Sequence, residues 1–329
     1  MRPAHAPPSS PIAPHILAFV AHKRALNRRY NVEEKTLRLF DAYLNGAGVD
    51  NLAQITPAVI EAFLLGRPRA RARSFNHLVG VVSRLFEWMV EHDIIGHSPV
   101  ATPVRRQGQN RIPFIFDLTA AQRLVDVAAQ LPDTNKGPLR GATYATIFSL
   151  LFGLGLRVGE VTRLRLHDVD GDRKLLIVRE TKFSKSRLIP MGPRLADRLD
   201  AFIAMRKERA VRLTPDDPVF SFTGGRPLNP GTISQTFHAL LPKLALDIPR
   251  GVAPPRAHDL RHSFAVGRLL RWYREDGKPA ANLMKLSTFL GHVDPSSTAV
   301  YLTVTAELLD AAAQRFERFA APISGGTGS

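Results

Sequence analysis

Between Phe75 and Val90 the apolar residues Leu78, Val81, Val82, Leu85, Phe86 and Met89 fall on one stripe. Intervals of three and four are the repeat of an α-helix that buries a single face. The same spacing recurs upstream in Ile16, Phe19 and Val20, in Leu37, Phe40 and Leu44, and in Val59, Ile60, Phe63 and Leu64. One-faced helices need partners, so residues 16–100 are expected to form a small all-helical domain of four or five helices. Gly46, Gly48 and Asn51 interrupt it, and Thr56 followed by Pro57 marks a helix start. The opening MRPAHAPPSSPIAPH is too proline-rich for a helix and reads as a disordered arm or a loosely docked strand over residues 1–15.

Residues 101–112 (ATPVRRQGQNRI) have the composition of a linker. A second domain is expected over residues 113–320. It begins with a helix over Thr119–Ala129, started by Asp117 or Thr119, and continues with an apolar helix over Thr143–Phe152. Lys174–Val178 and Ser186–Pro190 read as two strands of a hairpin. The rest is helical to about Phe319, and residues 321–329 form a flexible tail. The expected fold is therefore mainly α with a small antiparallel β-sheet, in two domains. A chain of 329 residues, 44% of them hydrophobic, can fill two cores.

Lys and Arg number 45 against 29 Asp and Glu, a formal charge of +16. Both domains share the excess, which points to a polyanionic partner, nucleic acid before an anionic membrane surface. Arg67, Arg69, Arg71 and Arg73 alternate along the entry to the strongest helix. They read either as a solvated basic turn or as a row of phosphate contacts. The absence of cysteine excludes disulfides and thiolate metal sites, and a reducing cytoplasm is the expected setting. The early apolar run Ile16–Val20 is far too short to span a bilayer, so no membrane partner is expected.

Four short segments carry groups suited to chemistry. In GLGLRVGE, Arg157 precedes Glu160 by three residues, a spacing that lets the carboxylate hold the guanidinium. In RETKFSKSR, Lys182 and Lys185 lie between the two strands. In AHDLRHSF, His258 and Arg261 stand three apart, while Asp259 and His262 read as capping or packing residues. Finally, Leu290-Gly-His292 precedes Tyr301 by nine residues in a chain with only 5 tyrosines. Alone, each segment has a plainer reading: a surface ion pair, a solubilising turn, a helix-face pair, a core tyrosine.

Taken in order, Arg157 with Glu160, a hairpin lysine, His258-x-x-Arg261, Leu-Gly-His292 and Tyr301 resemble the tyrosine site-specific recombinases, the phage integrase family. HDLRHSFA and LGHxDPSSTxxY carry the likeness over residues 113–320, and Arg73–Pro99 looks like the family's core-binding module. The resemblance implies a DNA strand transferase that needs neither metal nor other cofactor and passes through a 3′-phosphotyrosine. Tyr301 would be the nucleophile, and Arg157 and Arg261 would bind the phosphate. His258 would assist deprotonation of the tyrosine, His292 would donate to the phosphate, and Glu160 would support the arginines. Lys182 would be the general acid. Because Thr181-Lys-Phe183 replaces the frequent Gly-Lys-Gly, Lys185 stays open as its rival, or as a DNA contact.

The resemblance further implies a C-shaped clamp on double-stranded DNA carrying inverted-repeat recombination sites. Four protomers would assemble there, with a helix over residues 306–316 docking on a neighbour in trans and accessory DNA-binding proteins assisting. Integration, excision, transposition and resolution of a mobile element or replicon all fit this set. The alternatives are a type IB topoisomerase-like relaxing enzyme, a non-catalytic DNA-binding regulator and a metal-dependent nuclease.

Overall fold

The computed structural model describes residues 9–106, 108, 111–179, 186–209, 212–222, 225–275 and 279–291. The chain divides into two compact units, Met1–Asn110 and Arg111–Ser329.

The first unit packs α1 (Ala13–Ala25), α2 (Asn31–Gly46), α3 (Pro57–Leu65) and α4 (Ala72–Glu91) around one core. Phe19, Leu37, Phe40, Phe63, Val82, Leu85, Phe86 and Met89 are all buried in it. These are residues that the helical spacing singled out. The Thr56 hydroxyl accepts from the Val59 N–H at 3.4 Å, with Pro57 in the first turn of α3.

Two sequence expectations need correction here. The arm does not run free to residue 15, because α1 starts at Ala13 and Pro14 lies in its first turn. There the missing N–H has no helical acceptor to lose, so the proline is tolerated. Ser10 is buried, and its backbone N–H and hydroxyl donate to Asp41 at 3.0 and 2.6 Å. The start of the expected linker is also held. The Arg105 guanidinium lies 3.8 Å from the Phe75 ring centroid, and the Arg105 backbone exchanges two 2.7 Å hydrogen bonds with the Asn76 side chain. A linker-like composition conceals such contacts because they depend on one cation meeting one ring.

In the second unit, α5 (Leu118–Ala129) begins where the Asp117 carboxylate accepts from the Ala120 N–H at 2.6 Å. Helix α6 (Arg140–Leu154) buries Tyr144, Ile147, Phe148, Leu150, Leu151 and Leu154, which leaves it apolar on every side. Such a helix belongs at the centre, and it packs against α5, α8 (Pro193–Arg209) and α10 (Asp259–Arg274). The six-residue α7 (Val158–Arg163) follows, and α9 (Pro230–Leu240) and α11 (Pro279–Leu290) complete the described helices.

The sheet is antiparallel in the order β1 (Val169–Asp170), β2 (Leu175–Val178), β3 (Arg187–Pro190). In the expected hairpin, Val178 faces Arg187 and Leu175 faces Pro190. Strand β1 was not foreseen, since two residues are too few to show alternation. The architecture is thus mostly helical with one small antiparallel sheet. No helix among the described residues is long and apolar enough to cross a membrane.

Candidate active site

Gly155 ends α6 with φ of +60°, and a Cβ built there would meet Phe264 Cδ1 at 2.5 Å and Leu290 Cδ2 at 3.0 Å. Only glycine fits this approach in this conformation. The turn delivers Arg157 to the residue before α7, with its side chain 32% exposed and so reachable by a ligand. Glu160 lies one turn inside α7, and its side chain is 2% exposed. Its carboxylate accepts from the Arg157 backbone N–H at 2.9 Å and from Arg157 Nη1 at 2.7 Å.

A second cation shares that carboxylate. Arg187, the first residue of β3, donates from Nη1 and Nη2 to Glu160 at 3.1 and 2.9 Å. Burial raises the Glu160 pKa. The hydrogen bonds and charge of Arg187, followed by the backbone N–H and charge of Arg157, outweigh it and hold the group at about 2. Glu160 also borders a polar cleft lined by Arg163, Arg165, Asp168 and Arg179.

Helix α10 supplies the remaining groups. Asp259 is fully buried and accepts from the Arg256 backbone N–H at 3.0 Å and from Arg111 Nη1 and Nη2 at 2.9 and 2.8 Å. It lies inside the helix and, among the described residues, accepts no backbone N–H of α10, so of capping and packing the structure bears out packing. Arg261 is 1% exposed and donates to the Gly155 carbonyl at 2.5 Å and the Leu290 carbonyl at 2.7 Å. His258 sits just before the helix rather than within it, and its ring meets that of His262 edge-on at 4.8 Å. Lost hydration, then His262, Arg261 and Arg256, lower its pKa to about 4 against the pull of Asp259. The residue keeps an exposed edge, so water still reaches it. His262 is likewise lowered to about 4, chiefly by burial.

These pieces meet at the end of α11. Arg187 Nε donates to the Phe289 carbonyl at 2.8 Å, Arg261 Nη2 to that of Leu290 at 2.7 Å, and Arg157 Nη2 to that of Gly291 at 3.2 Å. Three guanidiniums from three separate elements thus cap three consecutive carbonyls at the negative end of a helix. One carboxylate, Glu160, offsets three cations, so the cluster retains positive charge. Paired planar donors in such a cluster suit a phosphate.

His292, the next residue, lies outside the described residues, as do Lys182, Lys185 and Tyr301. In the first unit Arg69, Arg71 and Arg73 are exposed. Arg67 differs, being half-buried with its guanidinium 5.1 Å from the Phe63 ring centroid and a 3.4 Å bond to the Leu39 carbonyl. Sequence reasoning overlooked Arg187 and Arg111. Their signals, an arginine opening a strand and an arginine closing a linker, look like solubilising charge. Among the described residues no group of three His, Cys, Asp or Glu could hold a metal ion.

Comparison with known proteins identifies the family. The pattern of the phage integrase family matches residues 119–307. Protein y4rB of Sinorhizobium fredii is 31% identical over 91% of this chain and 95% of its own length. The tyrosine recombinase XerC of Agrobacterium fabrum is 30% identical over 89% of this chain and 90% of its own. In fold, the chain is similar to the Tn1549 transposon integrase solved with transposon right end DNA. That match has a TM-score of 0.65 and 16% identity, and covers 94% of this chain and 99% of the other. A lambda integrase dimer bound to a COC′ core site gives 0.60 at 18% identity, covering 88% and 77%. The chain belongs to the phage integrase family, and it is a tyrosine recombinase, an enzyme of site-specific DNA recombination.

Proposed function

We propose that this recombinase cuts duplex DNA by attack of the Tyr301 hydroxyl on a phosphodiester, forming a 3′-phosphotyrosine, and rejoins it when a 5′-hydroxyl attacks that ester. The observation that carries the proposal is the convergence of Arg157 and Arg261 on the adjacent carbonyls of Gly291 and Leu290, immediately before His292. Two permanently charged, planar donors are suited to the negative charge that builds on the non-bridging oxygens.

In the forward step the Tyr301 oxygen bonds to phosphorus and the bond to the 5′-oxygen breaks. The phenolic proton passes to His258, whose lowered pKa leaves it neutral and able to accept near pH 7. The departing 5′-oxygen takes a proton from Lys182, with Lys185 as the alternative donor or a DNA contact. His292 donates to the phosphate, and Glu160 holds Arg157. A phenol, with a pKa of about 10, leaves far more readily than an alcohol, so the ester stores the energy of rejoining.

Arg69, Arg71 and Arg73 contact the DNA backbone. They crowd the start of α4, whose first turn holds no acidic residue, an arrangement that phosphate relieves. Arg67 contributes less, being held by Leu39 and Phe63. A DNA partner and self-association draw support from solved relatives described as an integrase on transposon DNA and a dimer on a core site. We extend this to a tetramer on paired inverted-repeat sites of a mobile element or replicon. There residues 306–316 dock in trans, and accessory DNA-binding proteins assist.

The test is Tyr301→Phe on a nicked suicide duplex containing the site. The variant should bind as the wild type does and form no SDS-resistant adduct. An adduct at wild-type yield would assign the nucleophile to another residue.

A further inference from the structure

We infer that Arg187, which lies outside the transferred catalytic set, is a positioning residue for strand cleavage. It fixes Glu160 and the Phe289 carbonyl, and through them the Arg157 guanidinium and the turn that leads to His292. The inference rests on the reading of Arg157 as a phosphate ligand.

The geometry of Glu160 carries the argument. Its Oε1 accepts from Arg157 Nη1 at 2.7 Å and Arg187 Nη1 at 3.1 Å, and its Oε2 accepts from the Arg157 backbone N–H at 2.9 Å and Arg187 Nη2 at 2.9 Å. A carboxylate offers about four acceptor positions, so the two arginines fill it completely. Without Arg187 the buried anion would keep one cationic partner and would be free to turn further onto Arg157. That would pull Arg157 from the orientation that leaves its Nη2 near Gly291. The side chain of Arg187 is 11% exposed. It is therefore no ordinary surface ion pair, whose worth would be small.

Arg187 also passes close to a glycine. Gly291 has φ of +66°, a conformation that favours glycine, and a Cβ there would fall 2.7 Å from Arg187 Nη1. Since Arg187 pairs with Val178 in the sheet, its backbone is anchored at the end of the ladder beyond which, in sequence, Lys182 falls between the two strands. One side chain therefore ties the hairpin strand, α7 and the end of α11 together.

Single-turnover cleavage of the suicide duplex and equilibrium DNA binding test this in the full chain. Displacements of a reacting group by about 1 Å cost about 10²-fold in rate. Arg187→Met should therefore cleave about 10²-fold more slowly at an unchanged Kd. Removing Arg187 also lets burial lift the Glu160 pKa. The ratio of variant to wild-type rate should then fall further between pH 7.5 and 5. The other charged groups facing Glu160 stay in place: Arg157 before α7, and Arg163, Arg165, Asp168 and Arg179 across the cleft. Combining Arg187→Met with Glu160→Gln should abolish the extra pH dependence.

If Arg187→Met fails to fold, Arg187→Lys keeps the charge and loses the fork. It should cleave about tenfold more slowly at unchanged Kd, since one misdirected donor costs less than a lost cation. Wild-type cleavage by Arg187→Met, or by Arg187→Lys where Arg187→Met does not fold, overturns the inference, as does a proportional loss of binding and cleavage with no pH signature. Arg157→Ala separates the two readings. Wild-type cleavage by that variant overturns the role of Arg157 itself. Its inactivity alongside a fully active Arg187→Met overturns only the role of Arg187.

Discussion

His258 and His262 stand a single turn apart at the start of α10, each with its pKa lowered to about 4. In the unfolded chain both return to about 6.5, so the unfolded state binds protons more readily in between. The neutral forms, His262 being the better packed of the two, therefore support the fold fully above about pH 6.5. That support is lost as pH falls from there toward 4. The melting temperature of the full chain should be lower at pH 5 than at pH 7.5, and His262→Asn should show a smaller drop. An equal drop would place the acid sensitivity elsewhere. Glu160, held near 2, gives support that is fully present above its ordinary value near 4.5 and is lost only as pH falls from there toward 2, so it does not mask the histidine effect. At this scale Arg157, Glu160, His258 and Arg261 were legible because their order in the chain resembles a known signature. Arg187 was not legible. Its partners lie 27 and 102 residues away in sequence, and nothing in Ser-Arg-Leu-Ile-Pro announces them.

The elements were read with uneven success for identifiable reasons. Helix α4 follows from its stripe, and the β2–β3 hairpin from its alternation. The start of α1 was missed because proline was treated as a barrier where it occupies a first turn, and β1 because it is two residues long. Helix α10 illustrates how an element is held by contacts that no periodicity reveals. Its first residue, Asp259, is fully buried and is gripped by Arg111 from the opening of the second unit. Arg111 also donates to the Pro254 carbonyl. Removing one partner of a buried ionic pair leaves the other uncompensated. Arg111→Met should therefore lower stability to urea by about 2–3 kcal/mol, tempered by the two remaining bonds from the Arg256 backbone N–H and guanidinium. An unchanged urea midpoint would show that Arg256 alone satisfies Asp259.

Across the whole molecule, an excess of 45 basic over 29 acidic residues predicts binding that weakens steeply with salt. Each arginine that neutralises a phosphate contributes about 0.9 to the slope of log K against log salt. Replacing Arg69, Arg71 and Arg73 together with alanine should flatten the slope by up to about three such increments. An unchanged slope would return that row to a solvated surface. Composition foretold the polyanion but not which arginines are already engaged. Arg67 on Phe63 and Arg105 on Phe75 became evident only in three dimensions.

The end of α11 has a thermodynamic corollary. Its last carbonyls draw on guanidiniums from the cluster proposed to receive the scissile phosphate. Where a ligand alters the hold of Arg157 or Arg261 on that turn, the turn alters the affinity for the ligand by the same factor, because coupling between two equilibria is reciprocal. With Arg157 and Arg261 as the proposed phosphate ligands, the same residues become a sensor of how firmly the end of α11 is held.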